Sequence, residues 1–256
     1  MNDKINQTSV RLSQFLVVIA TAVVVFVNYL GGIGRINDKA PDAVSDKYPT
    51  LLTPADYAFR IWSLIYIGLI IFTVYQALPA QKENPRFGKI RPLYIVNCAA
   101  NCLWIYLWSY EMVWASLAVI FVMLGTLVLI NSNLQNKNDP AETWAARVPF
   151  GLYFGWITVA TVLNFTVALV SAGVTASDLT TKILAVILVV SIVILGIIIR
   201  LKLSTAAYAI AIAWALTAIA IKHNIETMLI ISTAFGVIAL LIAAIFPLAQ
   251  AQESAR

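Results

Sequence analysis

Three apolar stretches of this chain carry Trp, Tyr and Asn at helical spacing, and these side chains are the ones best equipped for chemistry. Phe59, Trp62 and Tyr66 are spaced i, i+3, i+7, with Tyr57 just before them. Asn97, Asn101, Trp104 and Trp108 follow i, i+4, i+7, i+11, and Tyr153, Trp156, Ala160 and Asn164 follow i, i+3, i+7, i+11. Residues three and four apart share a helix face, so each set forms a stripe. The chemistry on offer is recognition. Rings present flat apolar faces, and an asparagine amide in hydrocarbon is costly unless it bonds a neighbouring helix or a ligand. One reading places Trp62, Tyr66, Asn101, Trp104, Trp156 and Asn164 around a cavity for a flat, mostly apolar ligand. The other makes the asparagines interhelical glue and the aromatics a belt at headgroup level. Tyr106, Trp108, Tyr110 and Trp114, around the turn at Glu111, fit the belt; Trp62, Trp104 and Trp156 lie deeper and favour the pocket.

Other chemistries find little material. Cys98 and Cys102 share a face of one span, and the lone His223 stands at a turn, too few ligands for a metal site. Both cysteines read as small core residues. No P-loop and no G-x-S-x-G occurs, and no Asp, Glu or Lys falls mid-span as an ion-coupled transporter would bury. No pair of Gly/Pro-broken helices marks an inverted repeat. With no acid/base or nucleophile constellation, an enzyme is not expected. Arg60 is the one charge close to a span interior, placed either to snorkel or to meet an anionic ligand group.

The elements that position these residues are membrane helices. Hydrophobic residues make up 61 % of the 256-residue chain and charged residues 11 %, against about 25 % charged in soluble domains. The apolar runs are continuous, as in KILAVILVVSIVILGIII, which excludes the alternating pattern of a β-barrel. About 20 apolar residues cross a bilayer core, and eight stretches qualify: 12–30, 58–78, 93–109, 113–131, 148–171, 183–200, 205–221 and 227–247. The expected fold is therefore all-α, a polytopic bundle of eight transmembrane helices. The net charge of +5 sits in links between spans rather than on one face, so membrane lipids are the expected partner and nucleic acid is not. Eleven of the 17 Lys and Arg lie in the N-tail, 79–92, 132–147, 200–204 and the C-tail, and six on the other side. The positive-inside rule then puts both termini in the cytoplasm and the 31–57 link outside. The expected location is a bacterial cell (inner) membrane.

At the stripes the chain resembles the translocator protein / tryptophan-rich sensory protein (TspO/MBR) family. The family's second helix opens with a pattern close to P-P-x-W-V-F-G-P-V-W-T-x-L-Y, and Pro54, Tyr57, Phe59, Trp62, Leu64 or Ile65, and Tyr66 stand along the corresponding stretch. Its third helix carries L-N-x-x-W-S, met by Asn101-Cys102-Leu103-Trp104; its fifth carries W-V-S-F-A-A-x-L-N, met by the run from Trp156 to Asn164. Arg60-Ile61 stands where the family has Gly-Pro, and Tyr57 where it has its first Trp. The resemblance covers roughly residues 12–171. It implies a five-helix core (1–171) that binds a porphyrin, haem-type tetrapyrrole or sterol, with residues 172–256 as a three-helix extension. The ligand-binding set it implies is Tyr57, Phe59, Arg60, Trp62, Tyr66, Asn97, Asn101, Trp104, Tyr153, Trp156, Ala160 and Asn164. Two functions follow: a sensor or carrier for a flat hydrophobic ligand, or a transporter of a small solute.

Three further expectations concern the links and the extension. The long 31–57 link, with Pro41, Pro49 and Pro54, reads as a lid over the outer mouth. Gly151 and Gly155 form G-x-x-x-G, which would serve a helix of the same chain or a homodimer contact. The three C-terminal spans, with Tyr208 and Trp214 as their only Tyr or Trp, read as an auxiliary bundle away from the site.

Overall fold

The computed structural model describes residues 2–135, 139–203 and 205–246, with side chains from residue 10 on. Lys137 and Arg256, both counted on the cytoplasmic side, and the last residue of the eighth span lie outside the described residues. Among the described residues ten α-helices follow in order: α1 (Asn2–Gly32), α2 (Pro41–Lys47), α3 (Ile61–Ala77), α4 (Pro85–Ser109), α5 (Val113–Asn133), the single turn α6 (Pro140–Glu142), α7 (Val148–Ser171), α8 (Asp178–Leu203), α9 (Ala206–Lys222) and α10 (Thr227–Ile245). A 3-10 turn, Asp56–Arg60, leads into α3, and a π-helical turn, Thr143–Arg147, leads into α7. No strand occurs among the described residues.

The fold is an all-α bundle of membrane helices, and each of the eight apolar stretches lies on one of the long helices. Six helical segments are long and apolar enough to cross a membrane, and Ala206–Lys222 is a shorter apolar helix. The remaining one, α4, has 25 residues but opens with Arg86, Lys89 and Arg91. Local chemistry sets several ends. Asn84 caps α4 by accepting from the Arg86 N–H at 3.2 Å, with Pro85 in the first turn. Asp139 does the same for α6 through the Ala141 N–H at 2.9 Å, again ahead of a proline.

By contacts the chain forms two compact units, Met1–Pro41 with Ser63–Phe150, and Asp42–Trp62 with Gly151–Arg256. In this grouping α7 goes with α8, α9 and α10 from Gly151 onward.

The first unit is built on an aromatic centre and on polar ties. Phe72 of α3 meets Phe87 and Tyr94 of α4 and Phe150 of α7, with ring centroids 5.8, 5.3 and 4.7 Å apart, all edge-to-face. Edge-to-face pairs gain about 0.5–1.5 kcal/mol beyond burial. Hydroxyls of Thr21, Thr73 and Tyr94 form a buried chain, at 2.7 and 2.8 Å, that ties α1, α3 and α4. The fully buried Arg91 donates to the carbonyls of Gln76 (3.3 Å), Gln81 (2.8 Å) and Lys82 (3.5 Å) and to Gln76 Oε1 (3.0 Å). The Gln76 carbonyl is in the last turn of α3, where a helix carries partial negative charge, and those of Gln81 and Lys82 lie just beyond it, so the guanidinium is compensated without a carboxylate.

The second unit is organised around α9. Its residues Tyr208, Ala209, Ala211, Ile212, Ala215, Leu216, Ala218 and Ile219 are fully buried, as expected of a helix apolar all round at the centre of a bundle. Small residues let the neighbours close in. A Cβ at Gly155 of α7 would strike the Tyr208 carbonyl oxygen and come within 2.8 Å of Ala211 Cβ. At Gly151 it would strike the Thr205 hydroxyl, at Gly196 it would lie 2.6 Å from Leu240, and at Gly236 2.6 Å from Val193. The G-x-x-x-G motif therefore serves α9 of the same chain.

Ion pairs join links that the alternation of spans places on one side. Arg86 and Glu142, in 79–92 and 132–147, form a two-pronged pair, with Glu142 only 1 % exposed. On the opposite side Lys39 pairs with Glu111, Lys182 with Glu226 at 3.1 Å, and Lys222 with Asp46 at 2.5 Å and Asp56 at 3.4 Å.

Candidate functional site

The sequence stripes divide between the two units. Tyr66, Asn97, Asn101 and Trp104 belong to the first; Tyr57, Phe59, Arg60, Trp62, Tyr153, Trp156, Ala160 and Asn164 belong to the second.

In the second unit four aromatics gather. The 3-10 turn and the first turn of α3 bring Phe59 and Trp62 against α7. Phe59 meets Trp156 at 5.9 Å, and Trp62 meets Tyr153 at 5.8 Å and Trp156 at 6.2 Å, each close to edge-to-face. Tyr153 and Trp156, three residues apart, project from the same face of α7 as the stripe requires. Trp156 is 4 % exposed, and its indole N–H has no hydrogen-bond partner among the described residues. Such a buried, unmet donor costs about 1–3 kcal/mol, so native structures seldom leave one without a reason. Trp62, Phe59 and Tyr57 are half-buried and form the open margin of the cluster. Arg60 is exposed at the end of the 3-10 turn, while Asn164 is fully buried further along α7 and Ala160 is half-buried.

In the first unit the asparagines are engaged in helix-to-helix bonds. Asn97 donates from Nδ2 to the Met123 carbonyl (3.1 Å) and to Thr126 Oγ1 (2.8 Å), tying α4 to α5, while its Oδ1 has no partner among the described residues. Asn101 Oδ1 accepts from Asn28 Nδ2 at 2.5 Å, tying α4 to α1. Asn131, outside every stripe, donates to the Phe150 carbonyl at 3.3 Å and plays the same part between α5 and α7. Trp104 is buried and stacks on Trp108 at 5.6 Å with an interplanar angle of 17°.

Trp108 departs from the belt expected of it. It is 3 % exposed and its indole N–H donates to the Pro41 carbonyl at 3.0 Å. The i+4 step to Trp104 carries it onto the inner face. Tyr106, Tyr110 and Trp114 are exposed, as a belt requires, and so is Trp144.

A contribution that stripes alone could not reveal comes from α9. Trp214 packs edge-to-face on Tyr57 at 5.3 Å and donates its N–H to the Ala58 carbonyl at 3.1 Å. Tyr208 packs on Phe154 at 4.6 Å and shares a 3.0 Å hydrogen bond with Thr158. The C-terminal helices thus hold elements that carry the aromatic cluster, rather than standing apart from them. The only sequence signal was that these are the sole Tyr and Trp of the extension.

Elsewhere, a groove of about 470 Å³ between α1 and α3 is lined by Val18, Val25, Phe26 and Ile70, with Thr21 and Thr73 at its floor. None of the stripe residues lines it. No group of three or more His, Cys, Asp or Glu suited to a metal ion occurs among the described residues.

A helical bundle of membrane-spanning segments, carrying aromatic and asparagine stripes on its inner faces, defines an integral membrane protein. A family model described as TSPO-like protein matches residues 14–247, most of the chain, and the chain belongs to that family. The match runs through α8, α9 and α10, further than the 12–171 read from the motifs, so the C-terminal helices fall within the family pattern. No curated protein and no solved structure matches the chain.

Proposed function

We propose that this protein binds a flat hydrophobic molecule bearing a hydrogen-bond acceptor, tetrapyrrole- or sterol-like, as a membrane sensor or carrier. One observation carries the reading: the indole N–H of Trp156, without a partner among the described residues, is buried within the cluster of Phe59, Trp62 and Tyr153. Rings supply the apolar contact, and a single donor fixes the orientation of a carbonyl or carboxylate, the usual composition of a small-molecule site. Arg60, exposed at the margin, adds a cation for a ligand acid. The remaining members of the set, Tyr66, Asn97, Asn101, Trp104, Ala160 and Asn164, are second candidates, and the helix-to-helix bonds of Asn97 and Asn101 favour a scaffolding part for those two.

The test is titration of purified protein with haemin and with a sterol, followed by tryptophan quenching. Trp156→Phe keeps the ring and deletes the donor, and should weaken binding roughly tenfold. Unchanged affinity in that variant, or no binding in the wild type, rejects the assignment. Transport of a small solute is the second reading; the size of the bundle leaves room for a pathway, and uptake into proteoliposomes without tetrapyrrole or sterol binding would select it.

We place the protein in a bacterial inner membrane with both termini cytoplasmic. The Lys and Arg asymmetry supports this orientation, and the ion pairs, each joining links on one side, agree with the alternation of spans it assumes.

A further inference from the structure

Tyr57, Phe59 and Arg60 sit in the single 3-10 turn Asp56–Arg60, and the backbone of that turn and of the residues before it finds partners on α9 and the turn that ends it. The Ala55 N–H donates to the Ala218 carbonyl at 3.1 Å. The Ala58 carbonyl, on a residue of zero exposure, accepts from the Trp214 indole at 3.1 Å. Lys222 reaches Asp46 at 2.5 Å and Asp56 at 3.4 Å, and His223 Nε2 lies 3.1 Å from the Thr53 carbonyl. Trp214, Ala218 and Lys222 are spaced i, i+4, i+8, so they form one stripe along α9. Residues 53–58 therefore lie along that stripe, fastened at successive turns, with Tyr57 packed on Trp214 at the end of the stripe away from Lys222.

We propose that α9 positions the aromatic margin of the site, with Trp214 as the positioning residue. It touches no ligand; it fixes the turn from which Tyr57 and Phe59 project. The inference deepens the ligand-binding reading and rests on it. It also gives the C-terminal helices a part in ligand release. Contacts to α9 hold the margin in place, and a ligand leaves at a rate set by how firmly residues 53–58 are fastened. The lid expected over 31–57 then reduces to its second half, and it is tethered rather than free.

The experiment uses the full-length protein in lipid nanodiscs with haemin as the probe. Trp214→Phe keeps an aromatic ring against Tyr57 and removes the hydrogen bond to Ala58. Lys222→Gln removes the ion pairs at a more peripheral position and does not disturb the core. Two quantities are read: amide hydrogen exchange of residues 53–60 without probe, and the haemin dissociation rate from its absorbance. Both variants should exchange faster at 53–60 and release haemin faster, roughly tenfold for Trp214→Phe, with the association rate and the unfolding temperature little changed. Trp144→Phe, at an exposed position, should match the wild type in both. Unchanged exchange in Trp214→Phe and Lys222→Gln overturns the fastening, and faster exchange with an unchanged release rate overturns the positioning. Wild-type protein that binds haemin or a sterol while the variants release it normally leaves the ligand reading standing alone; wild-type protein that binds neither ends both.

Discussion

Gly155 is where α7 comes against the backbone of α9, and replacing it tests how the two helices are held. A methyl group there would overlap the Tyr208 carbonyl oxygen, lie 2.8 Å from Ala211 Cβ and 3.1 Å from the Tyr208 carbonyl carbon. None of these is the free end of a flexible side chain: two are helix backbone and the third is a Cβ. The helices must therefore separate, and overpacking of this kind costs about 1–3 kcal/mol. Separation would also stretch the 3.0 Å hydrogen bond between Thr158 and Tyr208, worth about 1 kcal/mol. At about 2–4 °C per kcal/mol for a chain of this size, Gly155→Ala should lower the unfolding temperature by roughly 4–16 °C. The assay is thermal unfolding in detergent, with oligomeric state followed by light scattering. Gly125→Ala is the control, since a Cβ at Gly125 of α5 meets nothing within 4 Å; it should be neutral or stabilise by about 0.5–1 kcal/mol. An unchanged unfolding temperature for Gly155→Ala, coupled with loss of a dimer, would show that the motif serves a second chain and that α7 and α9 do not pack as closely as their backbones require.

Other expectations are shorter. Arg86→Ala should destabilise the chain by about 1–3 kcal/mol, discounted from the 3–5 of a fully buried pair because Arg86 is itself partly exposed, by stranding the buried Glu142; the double variant with Glu142→Leu should recover most of it. Asn101→Leu should lose roughly 0.6–2 kcal/mol through its bond to Asn28 on α1, measured by unfolding in mixed micelles; no loss would return Asn101 to the ligand. Burial pushes the His223 imidazole below its ordinary value, ahead of the Lys222 charge and against the Thr53 carbonyl and Glu226. The folded state therefore binds fewer protons than the unfolded one as pH falls through about 6.5. Stability contributed there is present above that pH and lost below it, and His223→Gln should flatten the pH dependence of unfolding across it. For orientation, the exposed Ala43→Cys and Ala80→Cys are the positions to label; impermeant reagent in intact cells should reach the first and not the second, and the reverse would invert the topology.

Much of this architecture was legible before any contact was known. A 61 % hydrophobic chain with continuous apolar runs has few alternatives in a bilayer, because every backbone polar group must be satisfied within its own segment. Helix identity, the number of spans and the inward direction of the stripes follow from period and length alone. The three short motifs also pointed to the family whose model matches residues 14–247. The sequence could not decide what each stripe faces. Asn101 and Trp156 carry equal weight as polar groups on apolar helices, yet one is met by Asn28 and the other by no described residue. That difference lies in which helix stands opposite, and spacing along one helix does not encode it. Trp108 is the same case: its place near a turn suggested headgroups, and the Pro41 carbonyl, 67 positions away, takes its N–H instead. The tertiary structure alone decided the part played by α9. An Ala-rich apolar helix with few orienting groups reads as part of an auxiliary bundle. Because its side chains are small, backbones can approach it from several sides, and that closeness puts Trp214 and Lys222 within reach of residues more than 150 positions earlier in the chain.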